Sequence, residues 1–137
     1  MSIQVKSLTV GAPAIDNSLA AQNDNFNVIP TANTVYDIYV ARNDTVNQVY
    51  KTAVIKSIRL VNSSSQSSVT VNLYFTRPNS LGQNRRRLIS PLNLSLSAGL
   101  MYIDDDEITL EPGDKIQCSA SIAGVLHYVI SGIERDQ

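Results

Sequence analysis

Hydrophobic and polar residues alternate along much of the chain, and a period of two predicts β-strands. The clearest example is SVTVNLYFTR at residues 68–77, where Val69, Val71, Leu73 and Phe75 fall on one side. The polar residues between them fall on the other side, as in a strand with one buried face. Residues 68–77 therefore predict a strand that borders the core.

The same alternation recurs in short segments separated by turn-forming residues. Residues 54–61 alternate, and residues 62–68 are a Ser, Asn and Gln cluster that predicts a hairpin loop. In the first segment Val54, Lys56, Ile58 and Leu60 alternate with Ile55, Ser57, Arg59 and Val61. About eight short strands at spacings of roughly 8 to 15 residues follow from such patterns. They predict an all-β fold, an antiparallel β-sandwich or jelly-roll-like single domain with an extended N-terminal arm.

The length of 137 residues fits one folded domain. Residues 1–33 are predicted to be an N-terminal arm with one strand, because an Asn-, Asp-, Ala- and Pro-rich stretch follows the opening IQVKSLTV. Residues 34–137 are predicted to be the sandwich. No apolar run approaches the roughly 20 residues that span a bilayer, and the start lacks the pattern of a signal peptide. We therefore expect no membrane partner.

The strongest candidate for chemistry is the run of four acids in YIDDDEITLEPGDKI at residues 102–116. In a strand, Asp104 and Asp106 face one side while Asp105 and Glu107 face the other, so the four carboxylates do not converge on one ion. The run also lacks the spacing of a calcium-binding loop. It is interpreted as a charged sheet edge that discourages unwanted strand pairing. A divalent cation held by Asp104 and Asp106 is the minority hypothesis; otherwise we expect no metal.

A tight turn is predicted immediately after the acids, at Glu111-Pro112-Gly113-Asp114. Proline presets φ at the second turn position and glycine accepts a positive φ at the third, as a type II turn requires. This interpretation explains the four residues without any ligand.

Composition excludes several function classes. Charged residues make up 17% of the chain and the net charge is −1, so no overall field attracts nucleic acid. Cys118 is the only cysteine and His127 the only histidine, which excludes a disulfide framework and multi-cysteine zinc sites. Cys118 is predicted to be buried and His127 to lie at a surface or interface. No catalytic or cofactor-binding motif occurs, so we expect no enzyme activity, no catalytic residues and no cofactor.

The triplet Arg85-Arg86-Arg87 is the candidate partner-binding site. Residues 78–87 are interpreted as a long exposed loop, from which the arginines could contact nucleic-acid phosphate, a carboxylate of a neighbouring subunit, or water. If Arg86 alternates with Leu88 as in a strand, the three arginines do not share one surface. Because the rest of the chain is nearly neutral, we expect no nucleic acid partner.

Two stretches of the chain resemble small β-sandwich virion structural proteins of tailed bacteriophages. They are AVIKSIRLVNSSSQSSVTVNLYF and ITLEPGDKIQCSASIAGVLHYVISGIERD, which together cover roughly residues 53–136. In such proteins an I-x-x-I-x-x-x-N strand leads to a Ser/Thr-rich hairpin and a V-T-V-x-L-Y strand. An L-x-P-G-D-x-I turn and a terminal Y-x-I-S-G-x-E strand follow. The family pattern offers no catalytic residue to transfer.

The resemblance implies a capsid decoration or cement subunit that binds and stabilises the assembled shell, or a neck, collar or tail accessory protein. It implies a location in the virion, assembled in the host cytoplasm. The implied partners are the major capsid protein or other virion proteins and further copies of the chain, with a trimer suggested. A carbohydrate-binding module for host adhesion is the alternative of another class. It would use exposed tyrosines from the set Tyr36, Tyr39, Tyr50, Tyr74, Tyr102 and Tyr128.

Overall fold

The structure is a computed structural model that describes residues 3–7, 14–15, 27–78 and 84–136. These residues form strands and turns, and none of them belongs to a helix long and apolar enough to cross a membrane. The strands are β1 (Ile3–Ser7), β2 (Ala14–Ile15), β3 (Tyr36–Val40), β4 (Asn43–Asp44), β5 (Val49–Asn62), β6 (Val69–Pro78), β7 (Asn84–Leu88), β8 (Leu94–Leu96), β9 (Met101–Asp104), β10 (Ile108–Leu110), β11 (Lys115–Ala120) and β12 (Leu126–Asp136).

The strands form two antiparallel sheets. Sheet A has the order β1-β12-β5, with β9 and β10 in tandem along the free side of β5. Sheet B has the order β2-β3-β11-β6, with β7 and β8 in tandem along the free side of β6. The short strand β4 pairs with the start of β5. The predicted antiparallel β-sandwich is thereby confirmed.

The connections between the sheets follow a jelly roll. If each tandem pair counts as one row and the two-residue strands β2 and β4 are set aside, the described residues form eight rows. Along the chain these rows alternate between the sheets, except that β6 and the β7–β8 row are consecutive in sheet B. Two four-row sheets linked in this way have the strand count and layering of a jelly roll. The predicted number of about eight strands corresponds to these rows.

The core lies between the two sheets. Ile58 and Ile130 of sheet A and Leu73 and Ile116 of sheet B are 0 to 1% exposed. Each such side chain contributes roughly 1.5–3 kcal/mol relative to an exposed position. Strand β6 has the inward set that its alternation predicted, with Val69, Val71 and Leu73 fully buried. The two layers are therefore joined mainly by aliphatic side chains.

Strand β5 departs from simple alternation. The pairing with β12 shifts between Ser131 and Gly132, which lie opposite Ser57 and Ile55, so that Lys56 is an extra residue in β5. Such a β-bulge reverses the inward phase of the strand. Ile55 and Ile58 are consequently both buried, although strict alternation separates them into opposite sets.

The N-terminal segment adds strands to both sheets. Strand β1 pairs along its whole length with β12, from Ile3 opposite Arg135 to Ser7 opposite Ser131. Strand β2, which was not expected, pairs with β3. Among the described residues of the predicted arm, the structure thus has one more strand than was predicted, and the boundary between residues 33 and 34 remains a prediction.

The prediction of a long exposed loop at residues 78–87 is wrong for residue 78 and residues 84–87, which lie in strands, whereas residues 79–83 lie outside the described residues. Strand β6 continues to Pro78, and β7 begins at Asn84 and pairs with it, with Arg85 opposite Arg77 and Arg86 opposite Thr76. The three arginines are therefore part of an edge strand. An edge strand pairs with a neighbouring strand on one side and meets solvent on the other, so it can carry charged residues. The loop was predicted from composition alone, which does not take this into account.

Candidate functional site

A polar network with a buried centre at Gln117 crosses the outer face of sheet B and extends to the exposed Arg86. The side-chain oxygen of Gln117 accepts hydrogen bonds from Thr76 Oγ1 at 2.6 Å and Arg86 Nε at 3.0 Å. Its Nε2 donates to Asp37 Oδ1 at 2.7 Å, and Asp37 Oδ2 lies 3.3 Å from Lys115 Nζ. Gln117 and Thr76 are fully buried. The network links β3, β11, β6 and β7, and every polar atom named has a partner, as buried polar groups require.

The predicted arginine site is divided between two faces. Arg86 joins the network at Gln117, and its guanidinium carbon lies 5.2 Å from the centre of the Tyr74 ring, within the range of a cation–π contact. Arg85 and Arg87 point to the opposite side with Arg77 and Phe75, their partners in β6. Both are exposed. The edge of sheet B therefore presents Arg85 and Arg87 as a pair, while Arg86 is committed to the fold.

The predicted turn at residues 111–114 is present and is fixed to the sandwich. Gly113 has φ +92°, and Asp114 N donates to the carbonyl of Glu111 at 2.9 Å, in agreement with a type II turn. Asp114 is only 2% exposed. Its carboxylate accepts Arg77 Nε at 2.9 Å and Nη2 at 2.7 Å, and it also accepts the backbone N–H of Glu111 at 2.8 Å. This bidentate contact raises the pKa of Arg77 further, through the hydrogen bonds first and then the charge of Asp114.

The acid run forms a turn between β9 and β10, opposite the bulge of β5. Asp104 Oδ1 accepts the backbone N–H of Asp106 at 3.0 Å, and Glu107 forms an ion pair with Lys56. Within the part of the chain that the structure describes, no group of three or more His, Cys, Asp or Glu side chains is placed to hold a metal. The minority hypothesis of a cation at Asp104 and Asp106 stays a prediction with no further support.

An open hollow of about 690 Å³ lies at one end of the sandwich, and each of its charged groups has a partner: Arg42 pairs with Asp44, Lys51 with Asp136, and Glu134 with the Tyr39 hydroxyl. Hydrogen bonds from the side chain and backbone of Asn47, and from Arg42, lower the pKa of Asp44 to about 2. Glu134 accepts the Tyr39 hydroxyl at 2.7 Å, and burial followed by this hydrogen bond raises the pKa of Tyr39. Such paired groups stabilise the fold and are poorly suited to proton transfer. The hollow is lined by Val40, Arg42, Asn43, Asp44, Thr45, Lys51 and Glu134.

The remaining single-residue predictions can be located. Cys118 is fully buried, as predicted, and burial raises the pKa of its thiol to about 12. His127 is exposed on the outer face of sheet A. Tyr36, Tyr39 and Tyr128 are buried, so half of the proposed sugar-stacking set is not available to a ligand. Tyr74 lies beside Arg86, and Tyr102 packs against the core.

Sequence reasoning did not identify the Gln117 network or the Asp114–Arg77 pair. Gln117 stands between Ile116 and Cys118, so alternation gave it an outward position but no sign of burial. Asp37 and Gln117 are 80 positions apart, and their contact depends on the order of the strands. The only signal was the presence of polar residues at the outward phase of several strands.

Comparison with known proteins gives no match: no family model fits the chain, and no curated protein or solved structure is significantly similar to it.

Proposed function

We propose that this chain is a non-enzymatic structural protein of a tailed-phage particle, namely a capsid decoration or cement subunit that binds and stabilises the assembled shell. The sequence resemblance supports the proposal, and the jelly-roll layering is compatible with it. Jelly rolls occur in viral capsid domains, but also in lectins and cupins. Because a fold hosts many functions, the argument depends on the surface groups.

The observation that carries the proposal is the basic edge of sheet B. Arg85 and Arg87 project together from β7, whereas Arg77 beside them is neutralised by Asp114. Neither Arg85 nor Arg87 contacts a carboxylate among the residues that the structure describes. Two exposed arginines side by side on an otherwise nearly neutral chain fit an acidic surface on a partner protein. Such charges set the orientation and the rate of association.

The mechanism is thermodynamic linkage. A subunit that binds only the assembled shell stabilises the shell by mass action, in proportion to the logarithm of its free concentration over the dissociation constant. No chemical step is needed. The paired acids of the open hollow and the satisfied network around Gln117 are compatible with such a role, because their polar groups already have partners within the chain.

The first experiment measures incorporation into particles. We expect wild-type protein to co-sediment with purified phage particles, and Arg85→Glu/Arg87→Glu to lose most of that binding while keeping its circular dichroism spectrum. The control, Ser65→Glu/Gln66→Glu, adds negative charge on the exposed loop between β5 and β6 and should bind normally. Undiminished binding of the arginine variant would rule out the basic edge as the contact.

Copy number separates the two virion roles. Decoration implies hundreds of copies per particle, whereas a neck, collar or tail part implies single digits or low tens. Quantitative densitometry of purified particles gives this number directly, and a low value would exclude the decoration role. A glycan array provides the test of the carbohydrate-binding alternative, for which the burial of three tyrosines leaves little structural support.

A further inference from the structure

The outer face of sheet A carries an exposed apolar surface that the proposed function does not use. Two rows of outward-facing residues cross the sheet here, each running from β12 through β5 to β9. One row is Val129, Arg59 and Ile103, and the next is His127, Val61 and Met101. Val129, Ile103 and Met101 are 43 to 53% exposed. We call this surface the A-face patch, and its members are Arg59, Val61, Met101, Ile103, His127 and Val129.

Arg59 is the only arginine or lysine of the A-face patch and lies on its middle strand. Val129 flanks it on β12 and Ile103 on β9. No described side chain forms an ion pair or hydrogen bond with its guanidinium. An arginine framed by apolar side chains has the composition of an interface hot spot, where the frame excludes water from the charge contact.

Unpaired carboxylates lie at the margin of the same patch. Strand β9 ends at Asp104 and leads into the acid turn, in which Asp104 accepts a backbone N–H and Glu107 pairs with Lys56. Asp105 and Asp106 are exposed, and no described cation contacts their carboxylates. Strand β9 therefore leads from the apolar residues beside Arg59 directly into a turn with exposed carboxylates that have no described cationic partner.

We propose that the A-face patch binds a second copy of this chain, with Arg59 of one copy paired to Asp105 or Asp106 of the other. A surface that presents an unpaired cation within an apolar row, and unpaired carboxylates in the turn beyond that row, can pair with a rotated copy of itself. Met101, Ile103 and Val129 pack between the copies and exclude water from the charges. The contact assigns a surface to association between copies, and the observations behind it are separate from those that carry the proposed virion role.

Charge reversal on each side of the contact gives the test. Light scattering after gel filtration, and sedimentation velocity, are measured for four proteins: wild type, Arg59→Glu, Asp105→Arg/Asp106→Arg, and the combination of both changes. We expect an oligomer for wild type. Each one-sided reversal should weaken association by at least about tenfold, because like charges then face each other across the contact. The combined variant should recover association.

Two controls keep the result interpretable. Circular dichroism and a thermal melt establish that each variant is folded, and Ser65→Glu, on an exposed loop outside the patch, should leave the mass unchanged. A wild-type protein that stays monomeric up to about 100 μM, far above the dissociation constant of a specific contact, overturns the proposal. Reversals that leave the mass unchanged, or a combination that does not recover, overturn the pairing. Because isolated protein is used, these outcomes are separate from the particle-binding result.

Discussion

The outer faces of the two sheets use polarity in opposite ways. On sheet B, Gln117 connects Asp37, Thr76 and Arg86 through hydrogen bonds of 2.6 to 3.0 Å, so the polar groups satisfy one another within the chain. On sheet A, Arg59 is surrounded by exposed apolar side chains and contacts no described acid. One face contributes to the folding of the subunit, and the other retains groups that a partner could satisfy.

This difference separates stability from association. A fully satisfied buried network is costly to break, because each group left without a partner retains its desolvation penalty. An exposed arginine that contacts nothing contributes little to the fold, since surface substitutions usually change stability by no more than about 0.5 kcal/mol. Substitutions in the Gln117 network of sheet B should therefore destabilise the subunit, while those on the A-face patch should change its assembly.

Substitution at the centre of the network should have the largest effect on stability. Gln117→Leu keeps the approximate volume but leaves Thr76 Oγ1 and Asp37 Oδ1 without their partner. We expect a loss of on the order of 3 kcal/mol in the free energy of unfolding, measured by urea denaturation. Ser119→Ala, on the same strand and face, is the matched control and should lie within about 0.5 kcal/mol of wild type. A cost below about 1 kcal/mol for Gln117→Leu would contradict the network's structural role.

The Asp114–Arg77 pair should have the next largest effect. Asp114→Asn removes the charge-assisted bidentate contact at a site where the carboxylate is 2% exposed. Because the Arg77 side chain is 42% exposed and can regain water, we expect a cost of about 2 kcal/mol, less than for a fully buried pair. Glu111→Gln is the control, since Glu111 lies 3.8 Å from Arg77 with 69% of its side chain exposed. A cost for Glu111→Gln equal to that for Asp114→Asn would mean that burial does not distinguish the two acids.

The sequence was sufficient to predict the local elements whose cause is local. Alternation identified β6, and the Pro-Gly pair identified the turn at residues 111–114, because side-chain period and turn dihedrals depend on adjacent residues. The phase of β5 could not be predicted, since the bulge at Lys56 arises from its pairing with β12, which is remote in sequence. Composition alone also gave a loop where Arg85 and its neighbours form a strand.

The candidate surfaces were less predictable for the same reason. The arginine triplet attracted attention as a run of like charge, but pairing with β6 assigns Arg86 to one face and Arg85 and Arg87 to the other. The exposed apolar row on sheet A requires the alignment of β9, β5 and β12, which no single stretch of sequence contains. The residues that share a sheet face depend on which strands are neighbours, and no local sequence pattern indicates the strand order.

Alkaline pH should reveal a further difference between the two sheets, because sheet B buries the thiol of Cys118 on its inner side. Burial raises the pKa of Cys118 from 9.0 to about 12, so the folded state favours the neutral thiol. This stabilisation is fully present below pH 9 and is lost as the pH rises toward 12. Between pH 7 and 10 we expect Cys118 to account for a decrease of about 1.4 kcal/mol in the free energy of unfolding.

The comparison for this pH effect is Cys118→Ala. Removal of the sulfur leaves a cavity that lowers the free energy of unfolding by the same amount at every pH. The free energy of unfolding of the variant should nevertheless decrease less steeply with pH than that of wild type. Titration of the unfolded chain's tyrosines is the same in both proteins and cancels in the difference. Burial, and then the charge of Cys118, raise the pKa of Tyr128, so the contribution of Tyr128 belongs to the difference that is measured. Arg59→Gln, on the exposed face, should keep the wild-type pH dependence when measured at a protein concentration where association is absent. Parallel pH profiles for wild type and Cys118→Ala would contradict the assignment.

The smallest effect is expected from calcium at the acid turn. A calcium ion takes six to eight oxygen ligands, whereas Asp104 already accepts the backbone N–H of Asp106, and Glu107 is paired with Lys56. We therefore expect no change in melting temperature when about 5 mM calcium replaces EDTA, a concentration sufficient for weak calcium sites. A rise that Asp104→Asn/Asp106→Asn abolishes would instead support the cation hypothesis. Such a rise would also mean that carboxylates beside the A-face patch bind a metal. If calcium then dissociated the oligomer, the ion and the second copy would compete for these carboxylates.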